Sequence, residues 1–216
     1  MKQVAIISIA LTIVALAMFV SLEADLSKAA TSYATTTVTL IVDSEITLTA
    51  SATVAMWPNI SLSQDTSVGS STFNVETSDT AGYTLDFSAS TSPALHNGTN
   101  SFADYTEGVE GTPESWSVDA SAYEFGFSAY GGDVDDGTWD SGATACGTPG
   151  AEDLTSSLNW MGFNGTTAVT GVASSASETS QDGTNTVLCV AAEQGSNTQA
   201  PSGTYVATLV GTATTQ

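Results

Sequence analysis

The densest group of oxygen ligands in this 216-residue chain is Asp133-Val134-Asp135-Asp136-Gly137-Thr138-Trp139-Asp140. A hard cation such as Ca²⁺ takes several carboxylate oxygens from a loop that a glycine lets turn sharply. Asp133, Asp135, Asp136 and Asp140 are therefore the candidate ligands, and Ca²⁺ is the one cofactor the sequence suggests. The spacing is not that of an EF-hand loop, because the glycine arrives one position early and the distal glutamate is missing. A solvated acidic loop is the plainer fate of such a run.

Other chemistries find less support. Glycoside hydrolysis needs two opposed carboxyl groups; Asp104, Glu107 and Glu110 can be nominated, but nothing in the sequence marks a pair as buried or facing. A Ser–His–Asp triad would have to use His96, the only histidine, which sits in the turn-like Pro93-Ala94-Leu95-His96-Asn97-Gly98 and reads as an exposed loop residue. Trp57, Trp116, Trp139 and Trp160 offer faces on which a sugar could stack, although aromatic side chains of this size more often fill a core. The reading is of a non-enzyme, with a small secreted hydrolase the least favoured reading.

Charge narrows the field further. Lys2 and Lys28 are the only basic side chains against 23 acidic ones, and the formal net charge is −21. Nucleic-acid binding depends on Lys and Arg that displace counterions from phosphates, so it is excluded. Anionic membrane surfaces repel such a chain as well, and phosphoryl transfer lacks its cationic groups. Crowded carboxylates without partners should repel one another and hold their protons more tightly. Stability should then rise in mild acid, salt or divalent cations.

Residues 1–29 read as a secretory signal: a positive start at Lys2, an apolar stretch from Val4 to Leu22, and small residues Ser27 and Ala29 before a cut. The apolar stretch is nearly long enough to span a bilayer, so an uncleaved amino-terminal anchor is the alternative, and the mature form otherwise has no membrane contact. Either way, the rest of the chain is expected outside the cell. Cys146 and Cys189 suit an oxidising destination and are expected to pair. Asn59-Ile60-Ser61, Asn97-Gly98-Thr99 and Asn164-Gly165-Thr166 are glycosylation sequons, used only if the host glycosylates.

The elements that must carry these residues read as β throughout. Thr35–Val42 is rich in β-branched residues, and Glu45–Ala50 alternates apolar and polar side chains. Thr72–Thr77 and Tyr83–Ser88 alternate too, and the five residues Ser78–Gly82 between them predict a hairpin. Further strands are expected at Ser115–Val118, Tyr123–Tyr130, Leu158–Phe163, Thr186–Ala191 and Gly203–Thr214, with Tyr123, Phe125 and Phe127 on one face. A short helical turn is expected over Ala151–Leu158. Many short strands with Gly, Pro and Asn between them predict an all-β fold. The expected form is a single antiparallel β-sandwich, Ig-like or jelly-roll-like, over residues 44–216.

The closing segment Ala200-Pro201-Ser202-Gly203-Thr204-Tyr205-Val206-Ala207-Thr208-Leu209-Val210-Gly211-Thr212-Ala213-Thr214 resembles the last strand of secreted pilin-like domains. It is similar to that of the spore coat protein U family, subunits of chaperone–usher pili, and Gly82-Tyr83-Thr84-Leu85 resembles an earlier part of that layout. Unlike in that family, the cysteines fall late in the chain. The resemblance implies a structural subunit of a filament, pilus or surface layer, a homopolymer in which an extended strand completes the neighbour's fold. Residues 30–43 would supply that donor strand, with Thr35, Val38, Leu40 and Val42 as its residues, or would equally form the first strand of their own domain. The alternative is a monomeric cell-surface adhesion or carbohydrate-binding module, with Ca²⁺ as the ion it would use.

Overall fold

The computed structural model describes residues 33–139, 145–147 and 158–216. Residues 33–42 belong to one unit of the chain and 43–216 to another. In the first, every described residue is exposed and none lies in a strand. The described part of the second is all-β. Its strands in chain order are β1 (Ile46–Ala50), β2 (Thr66–Thr77), β3 (Tyr83–Ala89), β4 (Ala103–Asp104), β5 (Glu114–Ser115), β6 (Tyr123–Gly131), β7 (Asn159–Trp160), β8 (Val169–Ser175), β9 (Thr184–Gln194) and β10 (Leu209–Thr215). Among the described residues no helix is long and apolar enough to cross a membrane. The leader and the helical turn expected at 151–158 fall on residues outside those described, Leu158 excepted.

Two sheets pack against each other. The larger has the order β1-β2-β9-β6-β4 and the smaller β10-β3-β8. All pairings are antiparallel except the two-residue contact of β4 with β6. Alternation decides which face each residue takes. On β3, Tyr83, Leu85, Phe87 and Ala89 are buried while the residues between them are half-buried. On β6, Phe125 and Phe127 point to the same interior, as the sequence pattern requires. Phe73 of β2 meets Phe87 of β3 edge-on with ring centroids 4.8 Å apart, one contact that joins the sheets.

That contact also corrects the expected hairpin. β2 pairs with β1 and β9, and β3 pairs with β10 and β8. The Ser78–Gly82 link therefore crosses from one sheet to the other instead of turning back within one. Both strands carry a large inward apolar row, and facing each other across the interior buries both rows, whereas side-by-side pairing would leave each row seeking another partner. Gly82 makes the crossing with φ +86°, a backbone conformation favourable only to glycine.

The outer face of the larger sheet has a cover of its own. β5 pairs with β7, and Tyr105, Trp116, Leu158 and Trp160 pack with Cys189 and Ala191 of β9 into a second apolar cluster. Tyr105 stacks on Trp116 at 4.6 Å, and Trp116 meets Trp160 edge-on at 5.3 Å. Gly126 makes room for this: a Cβ there would lie 2.9 Å from Trp116 and 2.8 Å from the Met161 carbonyl. Cys146 is bonded to Cys189, as expected, with Cα atoms 5.3 Å apart. β4 and β8 were not legible in the sequence; β5 and β7 are shorter than expected; and β10 begins at Leu209 rather than Gly203.

Candidate functional site

At one end, the space between the sheets stays open. The β1–β2 ladder stops at Ala50↔Phe73, and the chain next touches β2 at the Trp57↔Val68 bridge. Residues 51–55 between these points are exposed. Opposite, the β10–β3 ladder begins only at Leu209↔Ala89. Upstream of it the chain is held by the Val206–His96 bridge and by Thr208, whose carbonyl accepts the Ser90 N–H at 2.9 Å. Both edge strands thus lose regular pairing at the same end.

The result is a groove of about 960 Å³. Its walls are residues 51–56 and 200–209, and Phe73, Leu188, Val190 and Ala192 lie along its floor. The inward row of β2 changes character here, from Phe73 and Val75 to Ser71, Gly69 and Ser67, so the strand offers little bulk to fill the space. Ser71 Oγ is buried beside the groove without a hydrogen-bond partner. Inward side chains along the flanking edge, Ile46, Leu48, Tyr205, Ala207, Leu209 and Ala213, are only partly buried although they pack on the core. Apolar surface left wet at an interior face is a binding feature more often than an accident.

Residues 33–42 carry the complementary kind of exposure. Val38, Leu40 and Val42 are 87, 84 and 76% exposed. Their spacing of two puts all three on one face of an extended strand. Thr35 is exposed as well.

The acidic residues nominated for calcium take separate roles. Asp133 Oδ2 accepts the Tyr83 hydroxyl at 2.8 Å; burial first, and then this bond and the Asp133 charge, push that phenol's pKa up. Asp135 organises its own turn, accepting from Gly137 N–H and from the Thr138 hydroxyl. Asp136 is exposed, and Asp140 lies outside the described residues. Among the described residues no three His, Cys, Asp or Glu side chains are grouped to hold a metal ion. Of the carboxylates nominated for glycoside chemistry, Asp104 accepts the Ala94 N–H, Glu107 accepts the Gly162 N–H, and Glu110 is exposed.

Trp116, Trp139 and Trp160 are buried, and Trp57 is 71% exposed. Asn59 and Asn164 are exposed, whereas the Asn97 side chain accepts the N–H groups of Thr99 and Asn100 within its turn. His96 is half-buried rather than exposed, because its backbone bridges to both Ser101 and Val206.

A feature that no sequence pattern disclosed lies at the rim of the outer cover. Glu124 of β6 stands directly opposite Glu193 of β9. Trp116 donates its indole N–H to Glu193 Oε2 at 2.7 Å. Burial, then the charges of Asp119, Glu193 and Glu107, push the Glu124 pKa up to about 7. Glu193 is also raised, by burial first and Asp65 after it, against the indole hydrogen bond. Crowding was expected to raise carboxylate pKa values by repulsion; here burial is the larger cause. Asp79 and Asp119 move down instead, because backbone and serine donors hold their charged forms.

No family model, curated protein or solved structure matches the chain.

Proposed function

We propose that this chain is an exported structural subunit of an extracellular filament, pilus or surface layer, and that it assembles by β-strand donation. The two packed sheets read as an Ig-like sandwich short of one strand on the β1–β10 side. The observation that carries this reading is the open groove there, with apolar interior side chains left partly wet. Its occupant is the segment Thr35–Val42 of a second copy, whose Val38, Leu40 and Val42 form an exposed apolar row. An incoming strand would pair with a free edge through its backbone and fill the groove with alternate side chains. The resemblance to the spore coat protein U group points the same way, and residues 1–29 would serve as the export signal.

The test uses the mature chain and a variant lacking residues 30–43. Electron microscopy should show fibres of the mature protein, and the variant should remain a folded monomer without fibres. Absence of fibres from the mature protein would reject the reading, and unfolding of the shortened variant would mean that the strand belongs to its own domain.

One observation favours a second reading. Trp57 is exposed at the groove-side end of the larger sheet, with Leu62 83% exposed in the same stretch of chain. A monomeric adhesion or carbohydrate-binding module would use this aromatic face. Glycan retention lost on Trp57→Ala, with no fibres formed, would select it; buried Trp139 is no test of sugar stacking.

A further inference from the structure

The break between β1 and the Trp57 bridge is a miscount between two chains. After Ala50↔Phe73 the next pairing is Trp57↔Val68, so six residues, 51–56, run opposite four, 69–72. Two residues too many cannot stay extended in the ladder, and the segment arches away from it. Residues 51–55 are exposed and none of the six lies in a strand.

The edge of β2 is left bare beneath the arch. Val68 exchanges both backbone bonds with Trp57, at 3.1 and 2.9 Å, and Ser78 donates to the Glu45 carbonyl at 3.1 Å. Bonding toward the β1 side thus falls on alternate, even-numbered residues of β2. Ser70 is the next of these, so its N–H and C=O point into the lane, and among the described residues the arch returns no backbone bond to it. The arch holds on by side chains instead. A Cβ at Gly69 would lie 2.6 Å from Val54 Cγ1 and 3.2 Å from Met56 Cγ, so these two rest on the glycine backbone. Val54 stays 38% exposed even there.

We propose that residues 51–56 are a weak, built-in occupant of this lane, and that the donor segment of a second copy displaces them to pair with β2 at Ser70. The proposal rests on the strand-donation reading and names the edge that receives the strand. Residues 35–42 meet both demands of the lane. As an extended strand they bond to Ser70 through the backbone, and their row Val38, Leu40 and Val42 repeats every second residue, as do Ser67, Gly69 and Ser71 beside it. Bulk then lies against the positions where β2 has none. The arch lowers apparent affinity by the fraction of chains in which it covers the lane, which restrains assembly.

The test follows backbone hydrogen exchange by mass spectrometry in the mature chain, before and after fibres form, with fibre growth read by light scattering. Exchange over 69–72 should slow on the order of a hundred-fold in fibres, while 51–56 should gain no protection. Val54→Ser weakens the arch's hold without touching β2, and growth should quicken on the order of five-fold. Deleting Ala52 and Thr53 removes the surplus and keeps every remaining side chain on its face. Val54 then stands opposite Ser71 and Met56 opposite Gly69, so 69–72 should be protected in the monomer and growth should fall by at least about ten-fold. Should that chain fail to fold, the wild-type exchange map and Val54→Ser decide. Unchanged exchange over 69–72 in wild-type fibres overturns the proposal and leaves strand donation at another edge. Growth of Val54→Ser no faster than wild type overturns it as well. Absence of fibres from the mature protein rejects the underlying reading, and the proposal with it.

Discussion

The two ends of the space between the sheets are built from the same strands and finished differently. At the closed end, Phe73, Val75, Leu85 and Phe87 interlock, and Val75, Leu85 and Phe87 are fully buried. At the open end, β2 presents the small residues Ser71, Gly69 and Ser67, and the opposing chain presents Tyr205, Ala207 and Leu209, these last three partly exposed. Large side chains on both faces make one end self-sufficient; small ones leave the other able to accept more. The contrast separates stability from assembly, because the closed end should govern the first and the open end the second.

Three substitutions test that separation, in falling order of effect on stability. Phe87→Ala removes a fully buried ring from the centre of the closed end and should cost about 3–5 kcal/mol in denaturant unfolding. A cost near that of a surface change would mean that the interior is looser than its packing indicates. Ala173→Phe adds a ring where no space is free, since Ala173 is completely buried, and should cost about 1–3 kcal/mol by overpacking. Ala207→Phe makes the same exchange in the groove wall. Its stability should stay within about 0.5 kcal/mol of wild type, while the fibre assembly proposed above, followed by light scattering, should fail because the groove is occupied. A large loss of stability from Ala207→Phe would break the comparison, since the open end would then be as tightly packed as the closed one.

The outer face of the larger sheet supplies a second contrast with its inner face. Inside, Phe125 and Phe127 need only apolar neighbours; outside, the same strand holds half-buried Glu124 at the edge of an aromatic cover. Proton dependence near neutral pH should therefore be strongest on the outer face. Burial raises the Glu124 pKa to about 7, so Glu124→Gln should raise the melting midpoint at pH 8 and match wild type in mild acid; a shift independent of pH would erase the contrast between the two faces.

Much of the strand structure was legible because period-two alternation survives in the sequence. Ile46–Ala50, Tyr83–Ala89 and Tyr123–Gly131 all match expected strands closely. β8 was missed because Val169–Ser175 is Val-Thr-Gly-Val-Ala-Ser-Ser, small and weakly alternating, and becomes a strand by pairing with β3. The early start read for β10 failed for the opposite reason: Gly203–Thr208 alternates well, but its neighbours there do not form a ladder with it. Alternation states which face a residue takes and says nothing of whether a partner strand is present. The groove was invisible for that reason. Thr35–Val42 could be recognised as strand-like, yet only the fold shows it exposed and unpaired.

By itself the sequence determined the all-β class, the inward rows of β3 and β6, the pairing expected of Cys146 with Cys189, and a surface with almost no cations. These follow from local chemistry: branched and alternating side chains favour strands, and composition is independent of conformation. Which strands are neighbours, which end stays open, and that Glu124 faces Glu193 were decided only by tertiary structure. Those outcomes join residues that are distant in the chain, such as Phe73 with Phe87 across the interior and β6 with β9 across a long connection. They depend on how all the inward rows can be buried at once, a condition that no single segment contains.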